Sequence, residues 1–177
     1  AGSCAYQTQP EKPSIGLDPA HLLFNAVNLN ADSLRMSGKE YFGIIRNLTM
    51  KERCGLSIQR LVSRVQMNSE KQIQASLQFA TPYSSINFKG RLASSLLDSV
   101  PKGNMSAQLL CRIGKPDLMM LALLPREVYQ AFPQGSVLLN SEMNGTEKRV
   151  RLSRLNIILP GAFSARAEGE YITKSEA

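Results

Sequence analysis

Residues 72–92 read QIQASLQFATPYSSINFKGRL, and the alternation in this stretch decides the fold. Ile73, Ala75, Leu77 and Phe79 fall on one side, and Gln72, Gln74, Ser76 and Gln78 on the other. Successive side chains of a strand point to opposite faces, so the pattern predicts a sheet with one dry and one wet side. Thr81-Pro82-Tyr83-Ser84 interrupts the run, because Pro82 has no N–H and presets φ for a turn. The alternation then resumes, with Ile86, Phe88, Gly90 and Leu92 set against Asn87, Lys89 and Arg91. Two such strands in succession predict an antiparallel pair with a continuous apolar face.

Working outward, the same grammar recurs. On the N-terminal side, residues 57–68 put Leu61, Val65 and Met67 in one register, with Ser63 among them. Before them, residues 41–50 put Phe42, Ile44, Leu48 and Met50 in phase, with Arg46 out of character on that face. Gly55 turns the chain between these two, where a positive φ costs little. Residues 21–36 read as two short strand-like pieces, with a kink or bulge at Asn28, Asn30 and Asp32. Residues 1–19, rich in Pro, Gly and Gln, read as an extended entry segment before a single β-rich domain over 20–177.

On the C-terminal side, residues 94–98 are expected to form a helical turn. Met105, Ala107, Leu109, Cys111 and Ile113 form another alternating strand. A helical insert over about 115–133 follows. Its first part, PDLMMLALL from Pro116 to Leu124, is apolar almost all round; Pro125 suits the start of a second short helix. Strands over 137–144, 150–159 and 162–171 complete the chain, the last with Phe163, Ala165, Ala167 and Tyr171 on its dry side. The expected architecture is mainly β: about nine or ten strands in an elongated antiparallel meander, curled like a taco around an apolar inner face, with two short helices.

Composition narrows the function. Lys plus Arg number 21 against 14 Asp plus Glu, so the chain is basic. The cations are dispersed along wet strand faces rather than run in blocks, and there is no Trp and no recognition helix. That argues against nucleic acid as a partner. No apolar run approaches the ~18–20 residues of a membrane-spanning helix. The chain starts at Ala1 rather than Met and carries no signal-peptide pattern, which reads as a processed chain or a piece of something longer. Cys4, Cys54 and Cys111 lie far apart with no CxxC, and His21 is the only histidine, so no metal site or cofactor is expected. Cys111 should be a packed thiol, and a Cys54–Cys111 disulfide is left open.

No nucleophile, phosphate-loop or zinc-protease motif occurs. His21 reads as a surface or edge histidine. Asp117 and Glu127 fall in first helical turns, where a negative charge favours the helix dipole. Catalysis is therefore not expected. What remains is the dry face, either a sealed core or a channel lining for acyl chains. In the second case Ile73, Leu77, Phe79, Ile86, Phe88, Leu155, Ile157, Phe163 and Tyr171 would line it, with head groups in solvent near Lys and Arg.

Three short motifs add a resemblance: Lys51-Glu52-Arg53-Cys54-Gly55-Leu56, Thr81-Pro82-Tyr83-Ser84-Ser85-Ile86 and Leu155-Asn156-Ile157-Ile158-Leu159-Pro160-Gly161-Ala162-Phe163. Together with Leu123-Leu124-Pro125, Tyr129 and Pro133, they resemble the repeating unit of the AsmA-like superfamily, nearest to TamB-like envelope proteins of Bacteroidetes. The resemblance spans roughly residues 19–171 and implies a periplasmic location in a Gram-negative envelope. It also implies phospholipid conducted between inner and outer membranes, or help in assembling outer-membrane β-barrel partners. Membrane association would then come only through parts absent from this chain. The rival expectation is a protein-interaction or structural β-domain that binds a partner strand without lipid.

Overall fold

The computed structural model describes residues 2–8, 16–38, 40–69, 72–92, 103–121, 126–146 and 148–172. Ten strands form one antiparallel sheet, and each neighbour in space is also the neighbour in sequence. They are β1 (Gly2–Gln7), β2 (His21–Ser37), β3 (Glu40–Glu52), β4 (Ser57–Met67), β5 (Ile73–Ala80), β6 (Ser85–Leu92), β7 (Met105–Gly114), β8 (Ser136–Gly145), β9 (Arg149–Leu159) and β10 (Phe163–Ile172). Helices α1 (Lys115–Met120) and α2 (Arg126–Ala131) sit between β7 and β8. The sheet is curled but not closed, and among the described residues β1 and β10 are its two edge strands.

The decisive stretch folds as its alternation predicts. Ile73 opposes Leu92, Ala75 opposes Gly90, Leu77 opposes Phe88 and Phe79 opposes Ile86. Thr81 closes the turn with its own side chain: its Oγ1 accepts N–H bonds from Tyr83 at 3.1 Å and Ser84 at 2.8 Å. Such a hydroxyl-capped turn lets Pro82 occupy a position where no donor is needed. At the earlier turn, Gly55 has φ +99°, as its position between β3 and β4 requires.

Several expectations are corrected. Residues 1–19 are not wholly an entry segment, because Gly2–Gln7 pairs with β2 as the first strand. The two pieces expected over 21–36 are one strand of 17 residues. Register shifts between Asn25 and Asn28 and between Asn30 and Ser33 interrupt its pairing, and Ala26 takes φ +51°. In β3 the expected common phase of Phe42, Ile44, Leu48 and Met50 fails. Ile45 opposes Ser63 while Leu48 opposes Leu61, so an extra residue in β3 flips the faces. Phe42 and Ile44 share the wet face with Arg64, whose guanidinium lies 5.3 Å from the Phe42 ring centre. Arg46, at the bulge, reaches Asp32 at 2.7 Å. Of the first insert helix, only Lys115–Met120 is described as helix, and residues 122–125, like the expected turn at 94–98, lie outside the described residues.

The tightly buried residues gather at one end of the sheet, where β1 meets β2, β3 meets β4, β5 meets β6 and β9 meets β10. Leu56, Ile58, Cys111, Leu118 and Leu159 form this small core. Helix α1 lies across it. Its Met120 carbonyl accepts the Leu17 N–H at 2.5 Å, and the Met120 side chain approaches Gly55.

Candidate functional site

Carrying the pairing from strand to strand shows what the dry side is. Phe88 opposes Leu109, Ile86 opposes Cys111, Cys111 opposes Leu139, Leu139 opposes Ile157 and Leu159 opposes Phe163. In the other direction, Phe79 opposes Leu61 and Ile73 opposes Met67. A residue and its cross-strand partner share a face. The nine residues named from sequence (Ile73, Leu77, Phe79, Ile86, Phe88, Leu155, Ile157, Phe163 and Tyr171) therefore all lie on one face of the sheet. That face carries no Lys, Arg, Asp or Glu from β4 to β10.

Burial along this face is graded. Towards the α1 end it is closed, with Ile58, Cys111 and Leu159 buried. Across β5, β6 and β9 the seven other named residues are half-buried. At the margins and the far end, large apolar groups are open to solvent: Val65 is 43 % exposed, Phe163 53 % and Tyr171 67 %. Among the described residues, no second sheet packs over the face, and the helices meet the sheet at one end, against β7 and the turns after β3 and β5. The described part of the insert is thus a plug at one end rather than a roof.

The plug is fastened by polar groups that face inward. Asp117, 1 % exposed, accepts the Thr81 hydroxyl through Oδ2, which ties α1 to the β5–β6 turn. Ser84 Oγ accepts the Gly114 N–H at 3.1 Å. Lys115 crosses to α2, donating to the Phe132 carbonyl at 2.5 Å with its ammonium 4.8 Å from the Tyr129 ring centre. Asp117 was expected to serve the helix dipole. The structure adds a specific partner that only the proximity of β5 and α1, 36 residues apart, could supply.

His21 is not at the surface. It is 8 % exposed, in a strand paired on both sides, with Nδ1 2.7 Å from Asp18 Oδ2. The hydrogen bond from His21, joined by one from the Ala20 N–H, holds the Asp18 carboxyl below its ordinary range. Glu52 is the second buried acid. Burial works to raise its pKa, but bonds from the Cys54 thiol and from the Cys54, Leu23 and Arg53 N–H groups outweigh that and leave it lowered. Burial first, and the Glu52 acceptor second, push the Cys54 thiol upward. Burial alone does the same for Cys111, the packed thiol its strand position implies. All three cysteines are free. These groups are consumed in holding turns together, and no cluster of metal-ligating side chains occurs among the described residues.

The wet face has its own relief. A cleft of about 740 Å³ opens there, lined by Arg64, Lys89, Arg91, Gln74, Gln108 and Glu142 among others. Gln108 donates to Glu142 across the β7–β8 pair at 3.3 Å. The cations of the central strands therefore stand on the reverse of the apolar face, not beside it. No helix among the described residues is long and apolar enough to cross a membrane. No family model, curated protein or solved structure matches this chain.

Proposed function

We propose that the apolar face is a non-enzymatic groove for lipid acyl chains, and that the chain is a TamB-like envelope segment through which phospholipid moves between inner and outer membranes. The observation that supports this reading is a charge-free apolar surface, continuous from β4 to β10, plugged at one end and, among the described residues, uncovered along its length. Each methylene moved from water onto such a surface contributes roughly 0.8 kcal/mol, so an acyl chain needs no polar contact to be held. Because bound chains would meet no fixed charge from β4 to β10, they could slide, which suits conduction better than tight storage. Head groups would remain in water at the open side. The expectation that Lys and Arg hold them loses support, since Lys89, Arg91 and Arg64 project from the other face.

The test is native mass spectrometry and organic extraction of protein purified without detergent from cells grown with labelled phosphate. Phospholipid in more than trace stoichiometry supports the groove, and lipid-free protein overturns it. The two exposed edge strands favour a second reading, a module that takes a partner strand. Protein captured from envelope extracts without lipid would select that reading.

A further inference from the structure

Among the described residues, β10 is an edge strand with no neighbour on its outer side. Sheets limit edge-to-edge pairing with Pro, charged side chains (Lys above all), bulges and inward-pointing charges. Phe163–Ile172 has no Pro, Lys or bulge, and its charges, Arg166, Glu168 and Glu170, are of both signs and all on the wet side. The only register shift on this side has its extra residue in β9: Ala167 opposes Leu155 and Gly169 opposes Leu152, which leaves β10 itself regular. All ten of its residues are exposed, including the large apolar groups Phe163, Tyr171 and Ile172. Arg166 and Glu168 neighbour each other on the wet face, and neither has an ion-pair or hydrogen-bond partner among the described residues. Glu170, by contrast, is held by Arg149 at 2.5 and 2.7 Å.

We propose that this edge pairs with β10 of a second copy of the chain, antiparallel and centred on Ala167. The pattern of the strand selects the partner and the register together. With Ala167 opposite Ala167, Arg166 of each copy faces Glu168 of the other, and Phe163 of each faces Tyr171 of the other. Two salt bridges form on the wet face and two aromatic pairs on the dry face, the kinds of cross-strand pair that stabilise sheets. A shift of two residues either way sets Arg166 against Arg166 or Glu168 against Glu168. A shift of one places dry residues opposite wet ones. The two-fold axis stands perpendicular to the sheet, so both apolar faces lie on the same side and run on as one twenty-strand surface. Pairing through one strand buries little area, so the dimer is concentration-dependent. The proposal is independent of what the apolar face carries.

Sedimentation velocity from roughly micromolar to millimolar protein, the range in which small interfaces associate, should show growth from 19.5 kDa to twice that mass. Arg166→Glu and Glu168→Arg each create like-charge pairs and should weaken association about tenfold or more. Mixing the two variants should restore it, since each then offers what the other lacks. In a Cys4→Ser background, Ala167→Cys should cross-link to itself on oxidation. Four outcomes overturn the proposal: a monomer at every concentration, a dimer indifferent to both charge reversals, variants that do not rescue one another, or association without the Ala167→Cys cross-link.

Discussion

Leu77 and Leu118 are the same residue in two environments, and replacing each with alanine separates an open face from a sealed core. Leu118 on α1 is 7 % exposed, in the plug at the closed end of the sheet. Truncation there removes the transfer free energy and leaves a cavity, a cost of about 2–5 kcal/mol. Leu77 is half-buried at the centre of the apolar face, beside Phe88 and Ser63. Removing its branch opens a dent that water already reaches, so the cavity part falls away and roughly 1 kcal/mol of partial transfer remains. In a protein of this length each kcal/mol moves Tm by about 2–4 °C. Leu118→Ala should therefore melt about 2–16 °C below Leu77→Ala in lipid-free protein, by calorimetry or circular dichroism. If Leu77→Ala costs as much as Leu118→Ala, the face is a packed interior and the groove does not exist.

The plug makes further demands. Asp117→Ala leaves the Thr81 hydroxyl without its acceptor and should cost about 1.5–3 kcal/mol in urea denaturation, more than Glu127→Ala at the exposed first turn of α2. Gly114→Ala forces a methyl within 2.6 Å of the Tyr83 carbonyl oxygen and should destabilise by about 1–3 kcal/mol, read as a lowered urea midpoint. Glu52 has a folded pKa below its ordinary 4.5, so its contribution is present above about pH 4.5 and is lost as pH falls through the lower folded value. The gap in Tm between wild type and Glu52→Gln should accordingly be full near pH 6 and shrink as the solution is acidified. Cys4 is exposed whereas Cys54 and Cys111 are shielded with raised pKa values, so one thiol should react quickly with a disulfide reagent in native protein and three after denaturation.

The strands were readable because a period of two survives as long as pairing is regular. Across β5 to β8, and in β9 from Leu155 onward, the alternation in sequence is the alternation in space, and the nine residues chosen for the dry face fall together on it. The reading failed where a residue is inserted. Nothing in YFGIIRNLTM marks the extra residue that turns Leu48 away from Ile44, except Arg46 sitting where an apolar residue was due. That misfit was the signal, since a bulge re-aims one side chain and restores the rest. The plug was less legible. Its fastening joins Thr81 to Asp117 and Ser84 to Gly114, contacts between segments about 30 residues apart that no local pattern encodes. His21 escaped for a similar reason: an isolated histidine looks superficial until Asp18 bonds it and β1 pairs alongside it.

The claim on which the account rests is that lipid occupies one side of this sheet and not the other. A photoreactive amino acid placed at Leu77 or Phe88 on the dry face, and at Asn87 or Gln78 on the wet face, measures that directly in cells. The account predicts phospholipid adducts at Leu77 and Phe88 and none at Asn87 or Gln78. Adducts on both faces alike, or on neither, would contradict it.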